Sequence, residues 1–154
     1  MTPIAQDKTL RFKLQSPFSF DPLEFDFFTH HATQRPALAT LVSHYKAGTV
    51  LPVIAESWSV SNDKKLWTFK IRPGLIFEDG TAITAIDVKR SITRMAYLMK
   101  KAGSHSGLLE NIEGYASLNN MTSDFSGLVV TETSVTFRNI SPSDRFLEKI
   151  AFGL

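Results

Sequence analysis

The sequence predicts an α/β chain of the α+β kind: a small, mostly antiparallel sheet built of hairpins and flanked by helices. Three observations carry this. Residues 57–61 (S-W-S-V-S) and 66–71 (L-W-T-F-K-I) each alternate apolar and polar side chains, the period of a half-buried strand. The polar tetrad Asn62-Asp63-Lys64-Lys65 between them suits a hairpin loop, and a second pair of runs, residues 128–131 and 135–139, flanks the turn Glu132-Thr133-Ser134. Between the two pairs, Val88, Ile92, Met95, Ala96 and Met99 recur at helical spacing behind Thr84 and Asp87, an N-cap and the acid that answers it three residues on.

Taken in order, residues 9–15 set Leu10, Phe12 and Leu14 against Arg11 and Lys13, a strand that Ser16-Pro17 ends. Asp21-Pro22 follows, then residues 23–28 (L-E-F-D-F-F), acidic and aromatic together. Pro36 suits the first turn of a helix. Leu38, Leu41, Val42 and Tyr45 give that helix an apolar face through Lys46, with Gly48 as its C-terminal cap. Arg72-Pro73-Gly74 ends the second strand of the central hairpin, because proline donates no ladder hydrogen bond. Leu75-Ile76-Phe77 reads as a short buried run and Glu78-Asp79-Gly80-Thr81 as a turn.

The helix over residues 84–101 closes on Lys100 and Lys101, cations at the negative end of its dipole, and on Gly103. Its Val88, Ile92 and Met95 are expected to pack on Trp67 and Phe69. Leu108, Leu109, Ile112, Tyr115 and Leu118 predict a shorter helix broken at Gly114. Gly127 introduces the second hairpin and Ser141-Pro142 breaks it. Asp144 caps a last helix over residues 145–152, with Phe146, Leu147 and Ile150 inward.

Composition narrows the classes of function. A chain of 154 residues can bury one real core, and its 43% hydrophobic and 21% charged residues are ordinary for a globular protein. A net charge of +2 gives no footprint for nucleic acid or an anionic membrane. The absence of cysteine removes disulfides, Cys-ligated zinc and a catalytic thiol. No apolar run approaches the ~20 residues of a spanning helix, and residues 1–7 lack the apolar core of an export signal.

The order of residues across 51–99 resembles that of the bacterial extracellular solute-binding proteins of family 5, the oligopeptide- and dipeptide-binding components of ABC importers. These carry a segment reading roughly P-x-L-A-E-S-W and then D-G-K-x-Y-T-F-x-L-R-x-G-V-x-F-x-D-G-x-x-x-T-A-x-D-V. The matching residues are Pro52, Ala55, Glu56, Ser57 and Trp58, then Asp63, Lys65, Thr68, Phe69, Arg72, Gly74, Phe77, Asp79, Gly80, Thr84, Ala85, Asp87 and Val88. Lys64 departs from the usual hairpin glycine, Trp67 from tyrosine and Ile71 from leucine. Asp21-Pro22, Ile112-Glu113-Gly114-Tyr115 and the hairpin after Gly127 resemble further pieces of the same pattern.

The resemblance implies a two-lobed, periplasmic-binding-protein-like fold that closes on its ligand like a hinge. It implies capture of a peptide or similar small solute for the permease of an ATP-driven importer, in the periplasm or outside the cell. Membrane association would come only through the permease or a lipid anchor. It implies no cofactor, no nucleic acid and no enzymatic reaction. Residues 1–45 are then the N-terminal segment of the ligand-binding lobe and residues 46–154 a small α/β side subdomain. The chain itself is expected to be an N-terminal fragment, begun after a removed export signal. By position after Asp21-Pro22, the backbone groups of Asp26, Phe27 and Phe28 are carried over as ligand-binding. Phe12, Phe20 and residues 25–28 are expected to form the apolar surface that a missing lobe would cover. The alternative is a ligand-sensing or partner-binding module of a larger bacterial regulator, although no helix-turn-helix or basic patch is present.

The remaining chemistry-bearing residues read as structural. Asp21, Glu24 and Asp26 lack the spacing and the glycine of a calcium loop. His30 and His31 diverge by about 100° on a helix, and neither they nor His44 and His105 stand in a zinc-binding frame. No G-x-S-x-G, G-x-G-x-x-G or phosphate-binding loop occurs. Trp58, Trp67 and Phe69 are core residues before they are a base-stacking platform. Glu56, Asp79 and Asp87 read as structural, with Asp79 bonding turn amides and Asp87 supporting the helix start, and Arg72 is expected to pair with one of them, pinning hairpin to helix.

Overall fold

The computed structural model describes residues 39–46, 48–103 and 107–153. Its centre is a four-stranded antiparallel sheet in the order β3-β4-β6-β5, made of β3 (Ala55–Val60), β4 (Leu66–Ile71), β5 (Leu128–Val130) and β6 (Ser134–Arg138). The two hairpins foreseen from alternation, β3–β4 and β5–β6, join through the long-range pairing of β4 with β6.

Register sorts the side chains. Trp58 opposes Phe69, Trp67 opposes Phe137, Phe69 opposes Val135, and Leu128 opposes Phe137, so all of these share one face. Trp67, Phe69, Ile71, Leu128, Val135 and Phe137 are buried there. The other face carries Ser57, Ser59, Thr68, Lys70, Ser134, Thr136 and Arg138. On it the Thr68 and Thr136 hydroxyls bond at 2.9 Å. At the base of β3, Glu56 is the extra residue of a bulge, and its carboxylate meets Lys70 at 2.5 Å.

Two helices cover the apolar face. α1 (Ala85–Lys101) starts at Thr84, whose N–H donates to Asp87 Oδ2 at 3.0 Å. It buries Val88, Ile92 and Ala96, with Met95 and Met99 partly covered, as its stripe predicted. It shares one apolar cluster with Trp67 and Phe69, and its backbone comes nearest to β5 and β6. The second helix, α2 (Phe146–Gly153), occupies the region over Trp67. Its Phe146 stacks on Trp67 with ring centroids 5.4 Å apart and meets Phe137 edge-on at 5.2 Å. Phe69 meets Phe137 edge-on at 5.5 Å. Each such pair contributes about 0.5–1.5 kcal/mol beyond its buried area.

Three local expectations need correction. The helix expected through Lys46 is instead a hairpin, at least over the described residues. β1 (Val42–Lys46) pairs antiparallel with β2 (Thr49–Pro52), and Gly48 at φ +77° turns the chain rather than capping a helix. The apolar spacing of Leu38, Leu41, Val42 and Tyr45 mimics a helix face. The β-branched Thr49 and Val50 that follow supply a strand partner that local spacing does not reveal. Pairing even extends outward, since Ile54 donates to Thr40 O at 3.2 Å and Ala55 to Leu41 O at 2.9 Å.

The run Leu75-Ile76-Phe77 is not buried. Ile76 is 64% and Phe77 44% exposed on a small loop closed by Phe77 N–H to Thr81 O and Ile83 N–H to Leu75 O. The loop is too short to fold its own apolar side chains inward. The helix expected over residues 108–118 is two 3₁₀ turns, Leu109–Asn111 and Tyr115–Ser117, on either side of Gly114. Gly114 sits at φ +81°, and a Cβ there would meet Ser126 Oγ at 2.3 Å.

Lys100 holds the second of these turns. Its ammonium donates to the carbonyls of Tyr115, Ala116 and Leu118 at 3.4, 2.5 and 2.9 Å and lies 5.9 Å from the centre of the Tyr115 ring. In the β3–β4 loop, Lys64 occupies the left-handed region at φ 56°, the position at which the resembled pattern has glycine. Asp63 compensates by accepting from the Ser61 hydroxyl at 2.5 Å and from Lys65 N–H at 3.1 Å. Lys64 also pairs with Asp144.

Candidate functional site

The residues carried over as ligand-binding, Asp26, Phe27 and Phe28, lie outside the described residues. So do Asp21 and Glu24, His30, His31 and His105, and the aromatics Phe12, Phe20 and Phe25.

Within the described residues the candidate acids are engaged inside the protein, in a turn, a helix start and an ion pair. Asp79 Oδ1 accepts the Thr81 N–H at 2.9 Å and the Thr81 hydroxyl at 2.6 Å. The hydroxyl bond first, and the amide bond second, hold the Asp79 carboxyl below its usual range. Asp87 Oδ2 accepts the Thr84 hydroxyl at 2.5 Å as well as the Thr84 amide. The hydroxyl bond is the main reason its carboxyl is depressed, with the nearby Arg90 adding to it. Glu56 is paired with Lys70. These carboxylates act as acceptors that shape the chain, as their sequence positions suggested.

Arg72 departs from expectation. It forms no ion pair among the described residues. Its Nε donates to Val53 O at 3.1 Å and its backbone N–H to Ile54 O at 2.9 Å, so it ties β4 to the β2–β3 connection rather than hairpin to helix. Of the three candidate acids, Asp79 and Asp87 bond Thr81 and Thr84, and Glu56 is paired with Lys70.

One concave feature stands out. Between the β1–β2 hairpin and α2 lies an open groove of about 350 Å³ lined by His44, Gly48, Arg145, Glu148 and Lys149. The polar groups on its α2 side bond within the protein. Arg145 Nε donates to Glu148 Oε2 at 3.0 Å and Lys149 Nζ to Gly107 O at 2.7 Å. Donors that already serve protein acceptors do not converge on a solute, so the groove has the shape but not the chemistry of a selective pocket. The groove is hidden from the sequence because the helix-like spacing of Leu38, Leu41, Val42 and Tyr45 masks β1, one of its walls. Among the described residues no three His, Asp or Glu side chains gather as a metal site, and no helix is long and apolar enough to cross a membrane.

The model of the bacterial extracellular solute-binding proteins, family 5 Middle, matches residues 49–151, from the first residue of β2 into α2. The chain is 41% identical over 98 residues to the probable peptide ABC transporter periplasmic-binding protein y4tO of Sinorhizobium fredii, a match covering 62% of this chain and 18% of that protein. It is 27% identical over 139 residues to the nickel-binding periplasmic protein of Escherichia coli, covering 88% of this chain and 24% of the relative. In structure it resembles the murein tripeptide binding protein MppA of Escherichia coli with a TM-score of 0.74 at 24% identity, covering 92% of this chain and 28% of that one. The chain thus spans only 18% to 28% of the length of these relatives. It matches one protein named for peptides and another named for nickel.

Proposed function

Because the chain belongs to the bacterial extracellular solute-binding proteins of family 5, we propose that the protein captures a peptide or a similar small solute in the periplasm or outside the cell. It hands that solute to the permease of an ATP-driven importer. The observation that carries this reading is the match over residues 49–151, which takes in most of the described elements, together with the peptide-binding names of its relatives.

The compact unit that begins at Ala39 contains all of residues 46–154 and serves, on this reading, as the small side subdomain of a two-lobed fold. Three features support that role. Asp79 and Asp87 serve a turn and a helix start while Glu56 is paired with Lys70, the groove's Arg145 Nε and Lys149 Nζ serve protein acceptors, and the chain matches relatives named for different solutes. Backbone groups of Asp26, Phe27 and Phe28 would contribute one wall of the cleft. No reaction is assigned to the protein.

Calorimetry tests both parts. Peptides titrated into the 154-residue chain should bind no tighter than roughly millimolar, about −4 kcal/mol. A longer form that carries the opposing lobe should bind its solute at micromolar or better. Tight binding by the 154-residue chain alone would move the site into these residues. A longer form that retains no peptide or small solute after purification, as read by native mass spectrometry, would overturn the solute-capture reading.

A further inference from the structure

Two polar side chains stand without partners inside the core. Asn139 is 2% exposed, and neither its Oδ1 nor its Nδ2 has a hydrogen-bond partner. Trp67 is 7% exposed, and its indole Nε1 has none either. The two are neighbours. Trp67 lies directly opposite Phe137, and Asn139 follows two residues later on the same face. The Asn139 backbone N–H donates to Lys65 O at 2.8 Å, so pairing continues past the end of β6. Diagonal neighbours on one face of an antiparallel pair stand about 7–8 Å apart at Cα, a gap that an indole and one small bridging group can span.

The surroundings close this spot from several sides. Phe146 stacks on Trp67 and leans on Phe137. Ile112 forms a β-bridge with Asn139. Asn111 straps down the following segment, accepting from Ser141 N–H at 3.0 Å and donating to Ser141 O at 2.9 Å. Buried donors and acceptors left unpaired each cost a sizeable part of a small domain's net stability. An unpaired indole N–H and an unpaired amide oxygen at diagonal positions on one face therefore point to a partner shared by these two.

Chemistry selects that partner. It has to accept a hydrogen bond from the indole N–H and offer one to the amide oxygen. A monatomic anion cannot offer and a metal cation cannot accept, while a water molecule does both and is small enough for a packed interior. We propose that a buried water bridges Trp67 and Asn139, accepting from Trp67 Nε1–H and donating to Asn139 Oδ1. The site is a polar rivet between β4 and the end of β6, under the first turn of α2.

Water–protein cross-relaxation NMR on the 154-residue chain tests this, with the Trp67 indole resonance assigned from a Trp58→Phe variant. A rotating-frame measurement separates dipolar contact from chemical exchange by sign. The expected result is a dipolar cross-peak between water and Trp67 Hε1 that is lost in Asn139→Leu. No dipolar cross-peak in the wild-type chain, or one that persists in folded Asn139→Leu, overturns the proposal. Should Asn139→Leu not fold, the wild-type spectrum alone still decides, because a direct indole–amide bond or an empty contact yields no such peak.

Discussion

The two faces of the four-stranded sheet are built from the same strands and differ in nearly every physical respect. The inner face gathers Trp67, Phe69, Phe137 and Val135 beneath two helices. The outer face shows Ser57, Ser59, Thr68, Ser134 and Thr136, whose main interaction across strands is one hydroxyl pair. Because successive side chains alternate faces, one residue of slip in any strand would exchange the two sets. Register is therefore held by the aromatic face, and the hydroxyl face follows. This puts the cost of mutation on the aromatic face and leaves the hydroxyl face more tolerant of change.

The sharpest way to break that comparison is to empty the inner face. Phe137 touches Phe69 and Phe146 and is fully buried. Phe137→Ala should lower unfolding free energy by about 3–5 kcal/mol, read as a fall in the urea midpoint. A loss below about 1 kcal/mol would mean that the aromatic cluster is not what holds the sheet. Next comes the crowded entry to β5. A Cβ at Gly127 would meet Glu113 O at 2.4 Å and Ile112 Cγ2 at 2.5 Å. Gly127→Ala should therefore cost about 1–3 kcal/mol, measured in the same way.

A smaller effect separates packing of α1 from the chemistry of its start. Asp87→Ala should cost about 1 kcal/mol at pH 7. The Asp87 carboxyl is depressed in the folded chain. Its contribution is thus present above the unfolded value of about 3.9 and is lost as pH falls through the folded value. Melting curves of wild type and Asp87→Ala should converge on acidification; a constant gap down to pH 2 would contradict the cap. The smallest effect belongs to the outer face. Thr68→Val removes the hydroxyl pair with Thr136 and should shift stability by no more than about 0.5 kcal/mol either way. A larger loss would show that the outer face also holds the sheet.

What could be read from sequence followed the same division between local and distant causes. The β3–β4 hairpin and the Thr84–Asp87 start of α1 were legible because alternation and capping are written within a few residues. β1 was not, because Val42 becomes a strand only when Thr49–Pro52 lies beside it. Ile76 and Phe77 were misread because apolar character alone does not say whether a short loop has anything to fold against. Asn139 was foreseen as part of a returning strand, but its burial depends on α2, residues 111–112 and the pairing with Lys65. The proposed ligand residues Asp26, Phe27 and Phe28 rest on spacing after Asp21-Pro22, a signal that composition and periodicity do not supply.

The grip on Lys100 has a consequence for reactivity. An amine whose hydrogens are held by three carbonyls is a poor nucleophile, because it must first lose a proton and leave its cradle. Lys101, the next residue, is exposed. An acylating reagent offered briefly to the folded chain should mark Lys101 readily and Lys100 slowly, and should mark both alike once the chain is denatured. The ratio of label on two adjacent lysines thus becomes an internal gauge of whether the turn at residues 115–118 is docked, legible in a single tryptic or acid-protease peptide map.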